Sequence, residues 1–351
     1  MDRIIRVLVV DDSAYIRKVV SQMLSRSPFI QVVGTACDGE EALEQVEKLD
    51  PDVVTLDLMM PRLDGVGFLR KQMARRPIPV VVVSIASESS QLALSALDAG
   101  AVEFVQKPTA LATEKVFEIA SDLVRKVKAA AEARLPKLVL PDGPRPNQLA
   151  APVPASPKID IIVLGVSTGG PQALKYLIPQ LPADFPVPIA IVLHMPVGYT
   201  ELYAKRLNEE AAIEVHEAWE GEELRPGLAL LACAGKHLTL ARQPDGRVLA
   251  HLDTVPLDLP HRPSVDVLFR SAAETYGPRV LGIIMTGMGN DGLAGAAAIK
   301  NKGGRIITEA EESCVVYGMP RSVVEAGLSD RSVALHQMAP TIFLETMGEK
   351  S

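Results

Sequence analysis

The feature that most constrains this chain is a series of short apolar runs that do not alternate with polar residues and that stop at a polar side chain. Arg6-Val7-Leu8-Val9-Val10 runs into Asp11-Asp12, Asp52-Val53-Val54-Thr55-Leu56 into Asp57, and Pro79-Val80-Val81-Val82-Val83 into Ser84. Val32-Val33-Gly34 and Val102-Glu103-Phe104-Val105 complete a first set, the latter followed by Lys107-Pro108. A second set is Ile161-Ile162-Val163-Leu164, Val187 to Leu193, Arg279 to Met285 and Arg305 to Thr308. Runs that are apolar on both faces and rich in β-branched residues are strands of a sheet covered on both sides, and such sheets are parallel. Amphipathic stretches lie between them: Ser13 to Leu24, Asp38 to Lys48, Tyr199 to Leu207, Ser264 to Tyr276 and Leu293 to Lys300. Strand alternating with helix predicts an α/β protein of doubly wound sheets. In such sheets the site lies at the carboxyl ends of the strands.

At the first set of strand ends stand Asp11, Asp12, Asp57, Ser84 and Lys107. Three converging carboxylates cannot all remain charged and unpaired, and oxygen-only ligands suit magnesium. A carboxylate beside a cation, a lysine and a hydroxyl suits acceptance of a phosphoryl group. For any one of these acids a solvated helix cap is the simpler reading; five such residues on one rim argue for a site.

The second set frames the turn Gly165-Val166-Ser167-Thr168-Gly169-Gly170-Pro171, a strand-to-helix bend of the G-x-S-x-G form. Ser167 at the bend lifts a hydroxyl toward the amides that open the next helix, which suits acyl transfer. Taken alone, the same turn serves as well to bind phosphate or merely to close a βα unit. His194 and Asp291, at two further strand ends, supply a base and a carboxylate to fix its tautomer. His237, His251 and His261 are rival bases, His261 the strongest of them, and Asp291 is also placed to cap the helix that follows it. The order Ser, His, Asp differs from that of the α/β-hydrolases, so the elbow does not imply that fold. Between 213 and 251, short strands with turns at Arg225-Pro226-Gly227 and Pro244-Asp245-Gly246 predict an antiparallel edge hairpin on a mostly parallel sheet, and Arg305 to Thr308 reads as the last strand.

A helix over Lys115 to Arg134 leads into Leu135 to Lys158, where prolines at 136, 141, 144, 146, 152, 154 and 157 forbid helix and central strand. This places domains at 1–125 and 159–345, with a helix extension and proline-rich linker over 126–158. A net charge of −7 excludes a nucleic-acid footprint, and no apolar run approaches the ~20 residues of a membrane span. Met1-Asp2-Arg3 leads directly into a strand without a signal peptide, so the expected location is cytoplasmic. Cys37, Cys233 and Cys314, isolated from one another, read as small buried hydrophobes rather than a disulfide or zinc set.

On these residues the first 125 positions resemble a response-regulator receiver domain: the pair Asp11-Asp12, the acceptor Asp57, the hydroxyl Ser84, Phe104 at the aromatic switch position and Lys107-Pro108. The resemblance implies a flavodoxin-like (βα)5 fold and phosphorylation of Asp57 by a histidine kinase. It also implies Mg2+ held by Asp11, Asp12, Asp57 and the Met59 carbonyl, with Ser84, Phe104 and Lys107 as switch residues. The second half resembles the catalytic domain of the chemotaxis protein-glutamate methylesterase family. The matching motifs are Gly165 to Pro171, His194-Met195-Pro196, Pro260 to Phe269, Met285 to Gly292 and Cys314 to Pro320. This resemblance implies Ser167 as nucleophile, His194 as base, Asp291 as its orienter and the backbone N–H groups of Thr168 and Met288 as oxyanion donors. The substrate would be glutamyl methyl esters on methyl-accepting chemotaxis receptors, with deamidation of receptor glutamines as a second activity and no cofactor for hydrolysis. The expected molecule is a phosphorylation-regulated monomer that binds no nucleic acid and inserts in no membrane. Two other readings are a receiver joined to a non-catalytic binding module and a serine esterase of another substrate.

Overall fold

The computed structural model describes residues 3–84, 90–107, 114–133 and 159–347. The chain divides into two compact units, Met1–Lys137 and Leu138–Ser351. The proline-rich segment 135–158, Pro108 and the last four residues lie outside the described residues.

The first unit alternates β1 (Ile5–Val10), α1 (Ala14–Leu24), β2 (Ile30–Ala36), α2 (Gly39–Leu49), β3 (Val53–Leu56), α3 (Gly65–Arg75), β4 (Val80–Ser84), α4 (Ser90–Asp98), β5 (Glu103–Gln106) and α5 (Glu114–Glu132). Its parallel sheet has the order β2-β1-β3-β4-β5, the doubly wound flavodoxin-like order. Every residue of β3 and β4 is buried, which is why those runs show no alternation. Ser13 caps α1 and Asp38 caps α2, the latter by accepting from Glu40 and Glu41 N–H. The strand order reverses between β1 and β3, with β2 added on one side of β1 and β3 on the other, so Asp11, Asp12 and Asp57 share the crevice at that switch point.

The second unit runs β6 (Ile161–Val166), α6 (Gly170–Leu177), β7 (Ile189–Leu193), α7 (Thr200–Glu210), β8 (Glu214–Glu217), β9 (Leu228–Leu231), β10 (His237–Arg242), β11 (Val248–Asp253), α8 (Val265–Tyr276), β12 (Val280–Ile284), α9 (Leu293–Asn301), β13 (Arg305–Glu309), α10 (Met319–Glu325), β14 (Arg331–Val333) and α11 (Leu335–Met347). Seven strands pair in parallel in the order β14-β13-β12-β6-β7-β9-β8. The antiparallel pair expected from the turn-rich stretch is β10–β11, which forms a two-stranded sheet of its own. Arg305 to Thr308 is not the last strand: β14 follows and pairs with β13, its short, largely exposed run Arg331-Ser332-Val333 giving no apolar signal.

The β6 run is buried at all six positions. Gly165 is required there by close approach: a Cβ would lie 2.4 Å from Val265 Cγ1 of α8, so the helix rests directly on the strand backbone. Val265, Leu268, Phe269 and Ala272 of α8 are wholly buried in the core that this contact organises. Burial of each of the Val265, Leu268 and Phe269 side chains contributes roughly 1.5–3 kcal/mol. The chain leaves β6 for β7 on one side and returns to β12 on the other, so β6 marks the second unit's switch point. Of the cysteines only Cys314 is buried; Cys37 and Cys233 are half-buried, and all three are free thiols.

Candidate active site

Residues 167, 194 and 286–291 follow three neighbouring strands, and the ladder brings them together. Val166 pairs with Leu193 and the His194 N–H donates to the Val166 carbonyl at 3.1 Å, so Ser167 and His194 occupy adjacent post-strand positions. On the other side the Ser167 N–H donates to the Thr286 carbonyl at 3.0 Å. Gly287 lies against the serine so closely that a Cβ there would sit 2.8 Å from Ser167 Cβ. The loop after β12 is fixed in turn by Gly287 N–H donating to Val316 C=O and by the Gly318 and Met319 N–H groups donating to Gly287 C=O.

Asp291 gathers four hydrogen bonds. Oδ2 accepts from Val265 N–H at 2.8 Å and joins His194 Nε2 at 2.9 Å; Oδ1 accepts from Ser264 Oγ–H at 2.9 Å and Asp266 N–H at 3.0 Å. Burial opposes its charge, but His194 and these two backbone N–H groups prevail and hold the carboxyl at about 2. Asp291 therefore remains ionised and fixes the proton of neutral His194 on Nε2. The opposite nitrogen, Nδ1, is buried and has no hydrogen-bond partner among the described residues. The Ser167 hydroxyl makes no hydrogen bond to it. The ring is also held by its face, stacked on His261 at 4.2 Å between centroids and 19° between planes.

Two of the three rival histidines are engaged elsewhere. His251 is half-buried and pairs with Glu220. His237 is fully buried: Nδ1 accepts the Ser264 N–H at 3.2 Å, which leaves the proton on Nε2 to donate to the Pro256 carbonyl at 3.0 Å. Burial lowers its pKa and keeps it in that neutral form. His261 meets His194 ring to ring, while the hydrogen bond to Asp291 belongs to His194.

Two features escape sequence reasoning. Asp291 does not cap the helix that follows it; the N-cap of α9 is Gly292, which has no side chain to cap with. Asp291 instead accepts from the first amides of α8, and Asp266 of α8 returns the service by accepting from Gly292 and Gly295 N–H of α9 at 3.0 and 2.6 Å. Ser264 stands at the N-cap of α8, but its hydroxyl donates to Asp291 and not to its own helix. The Ser264-Val265-Asp266 motif is visible in the sequence, yet nothing in it reveals the reciprocal pairing. The fully buried Glu309, whose Oε2 accepts the Thr286 N–H at 2.9 Å, also carries no sequence signal. Thr168 is buried and its carbonyl accepts from Thr286 Oγ1–H at 2.9 Å; Met288 is half-buried at the lip of the loop.

In the first unit the strand-end residues also converge. Lys107 Nζ bridges Asp57 Oδ2 at 2.7 Å and Asp11 Oδ2 at 2.9 Å. Burial alone lowers the lysine pKa; the two carboxylates outweigh it, and the net shift is upward. Asp11 is shifted upward by burial, with Lys107 opposing. Asp57 Oδ1 accepts the Leu58 N–H at 2.7 Å. Asp11, Asp12 and Asp57 offer oxygens all within 4.8 Å of one another, the first and last buried and Asp12 exposed. Three hard oxygen donors with one side open to water fit a divalent cation of the Mg2+ type. Ser84 and Phe104 are both buried at the ends of β4 and in β5, on strands that pair directly. Met59 follows this cluster with an exposed side chain.

Residues 162–342 match the family model described as CheB methylesterase, and residues 7–116 match that of the response regulator receiver domain. The chain is 55% identical over 336 residues to the protein-glutamate methylesterase/protein-glutamine glutaminase 5 of Myxococcus xanthus, covering 95% of this chain and 96% of that one. It is 43% identical over 350 residues to the protein-glutamate methylesterase/protein-glutamine glutaminase 2 of Methanosarcina acetivorans, covering 96% of this chain and 98% of that one. Among solved structures, the Thermotoga maritima CheB methylesterase catalytic domain is similar with a TM-score of 0.51 and 42% identity, covering 52% of this chain and 97% of that one. No helix among the described residues is long and apolar enough to cross a membrane. With both family models matched in sequence and relatives similar from end to end, the chain belongs to the CheB methylesterase family, in the form that carries a response regulator receiver domain.

Proposed function

We propose that this chain hydrolyses glutamyl 5-O-methyl esters on methyl-accepting chemotaxis receptors, releasing methanol and leaving glutamate, and deamidates receptor glutamines by the same route. The observation that carries this reading is the Asp291–His194 pair, whose remaining ring nitrogen is buried and unpartnered beside the post-strand position of Ser167. A serine nucleophile needs such a base, with its tautomer set from the far side. His194 Nδ1 takes the Ser167 proton as Oγ attacks the ester carbonyl, a hydrogen bond that tightens once substrate is bound. The imidazolium so formed is stabilised by ionised Asp291. His194 then gives the proton to the departing methanol oxygen, or to the amide nitrogen of a glutamine side chain, which leaves as ammonia. A water deprotonated by the same nitrogen releases the acyl group and restores Ser167. Backbone N–H groups of Thr168 and Met288 are the proposed donors to the oxyanion.

The receiver occupies residues 1–125 in this reading, the hydrolase 159–345, and 126–158 joins them. Asp57 accepts a phosphoryl group from a chemotaxis histidine kinase. Asp11, Asp12, Asp57 and the Met59 carbonyl would hold Mg2+, which when bound neutralises charge on the transferring group. Lys107 and the Ser84 hydroxyl then meet the phosphoryl oxygens, and Ser84 and Phe104 adjust as the switch that raises hydrolase activity. The protein works as a cytoplasmic monomer.

The test is methanol release from methylated receptor membranes by the wild type and Ser167→Ala, each with and without a small phosphodonor and Mg2+. Release that rises with phosphodonor and disappears in Ser167→Ala is the expected result. Full activity in Ser167→Ala makes the serine a structural turn residue. Absence of release from both leaves the receiver-linked binding module as the better reading.

A further inference from the structure

Beneath the Ser167 turn lies a carboxyl group that the mechanism above does not use. Glu309 ends β13, has no solvent exposure and forms no ion pair among the described residues. Its Oε2 accepts the Thr286 N–H at 2.9 Å. Its Oε1 lies 2.9 Å from Ser313 Oγ, which accepts the Leu335 N–H at 2.9 Å and stands 3.3 Å from the Ala310 carbonyl. An ionised carboxylate here would face one amide, one hydroxyl and the Cys314 thiol, with no cation to offset the cost of taking its charge out of water. A carboxylic acid satisfies every group. Its carbonyl oxygen accepts from Thr286, its O–H donates to Ser313 Oγ, and the serine turns its own proton to Ala310 C=O.

We propose that Glu309 is a positioning residue of the hydrolase, a neutral carboxylic acid that clamps the end of β12 against the nucleophile turn. The inference rests on the reading of Ser167 as nucleophile. Thr286 is the link. Its N–H is held by Glu309, its carbonyl accepts the Ser167 N–H at 3.0 Å, and its hydroxyl donates to the Thr168 carbonyl at 2.9 Å while accepting the Val316 N–H at 3.0 Å. A displacement of the Thr286 peptide therefore moves the nucleophile and the adjoining Thr168 peptide together. Burial pushes the Glu309 carboxyl up, against the Thr286 N–H, Ser313 and Cys314, in keeping with the neutral form.

The discriminating variant is Glu309→Gln, because a glutamine keeps both hydrogen bonds of the protonated acid: its oxygen accepts from Thr286 and its NH2 donates to Ser313. In the full chain, Glu309→Gln is expected to stay within about threefold of wild-type kcat for methanol release, the range of a conservative change that keeps each hydrogen bond. Glu309→Ala is expected to lower kcat about a hundredfold with KM little changed, as for a misplaced reacting group. The infrared difference spectrum of wild type minus Glu309→Gln at neutral pH should show the carbonyl band of a protonated carboxylic acid. Wild-type kcat in Glu309→Ala overturns the positioning role. Loss of kcat in Glu309→Gln equal to that in Glu309→Ala, or a carboxylate band in the spectrum, overturns the neutral acid. If Glu309→Ala does not fold, the glutamine variant and the spectrum still decide. Ser167→Ala runs beside them: full activity there removes the nucleophile reading itself, whereas its loss with an unaffected Glu309→Ala removes Glu309 alone.

Discussion

Replacing Asp291 and Asp266 in turn by asparagine separates the orientation of His194 from the capping of helices. Asp291 uses both oxygens, each in two hydrogen bonds. An asparagine has one oxygen to offer, so Asp291→Asn turns an NH2 either toward the Val265 N–H and His194 or toward the Asp266 N–H. One backbone amide at the start of α8 loses its acceptor in both cases. A buried bond to a charged acceptor contributes about 1.5–3 kcal/mol, which for a unit of this size lowers the melting temperature by roughly 5–10 °C. His194 either inverts its tautomer or loses the charge that stabilises its imidazolium, and kcat should fall about 10³- to 10⁴-fold. Asp266 uses Oδ1 alone for both Gly292 and Gly295. An asparagine oxygen can take that place, so Asp266→Asn loses only a charge at the start of α9, about 0.3–1 kcal/mol, and should keep kcat within about threefold, since no bond to His194 changes. The assays are methanol release from methylated receptor membranes and calorimetric melting. Equal losses of kcat in the two variants would show that activity follows the junction of α8 and α9 and not the His194 partner, and the reasoning would fail.

Three further outcomes follow from the geometry. Gly287→Ala places a Cβ 2.4 Å from Met319 Sδ and 2.8 Å from Ser167 Cβ; the expected loss is about 1–3 kcal/mol of stability and about a hundredfold in kcat, and wild-type kinetics would mean that the loop after β12 does not set the serine. Asp57→Asn removes the phosphoacceptor, so methanol release should no longer respond to phosphodonor and Mg2+, and removing Mg2+ by chelation should abolish the response of the wild type; a persistent response places phosphorylation elsewhere. Asp291, held at about 2, binds protons less readily when folded than when unfolded, so its contribution of about 2 kcal/mol is present above pH ~4 and disappears as pH falls toward ~2. The stability gap between wild type and Asp291→Asn should close over that window, and a gap that stays constant would refute the assignment.

The parallel strands are legible because β3, β4 and β6 are buried on both faces and must be written in unbroken apolar residues. The strand ends are legible for a related reason: an acid or a hydroxyl terminating such a run, as at Asp57 and Ser84, has no place in the core unless something meets it. What meets it is not legible. Lys107 lies far along the chain from both Asp11 and Asp57, and only the sheet order makes it bridge them. Asp291 looks in the sequence like the cap of the next helix, but its amide partners belong to a helix start 26 residues earlier, because packing of α8 on α9 is a tertiary choice. Glu309 ends an ordinary strand, and its burial depends on β14, whose exposed residues leave no apolar trace. The β10–β11 pair announces itself by its turn, while its separation from the large sheet does not.

The order β12-β6-β7 has a consequence for how activity emerges during folding. His194 and Asp291 are 97 residues apart in sequence, and Thr286 reaches Thr168 across 118. Such contacts form only after long loops close, which is slow and comes late. A growing or refolding chain in which β6 and β7 have paired already holds Ser167 beside His194, but it lacks the strand that delivers Thr286 and Asp291. That intermediate should be inert, and recovery of esterase activity on refolding should track the docking of β12 and not the first appearance of helix.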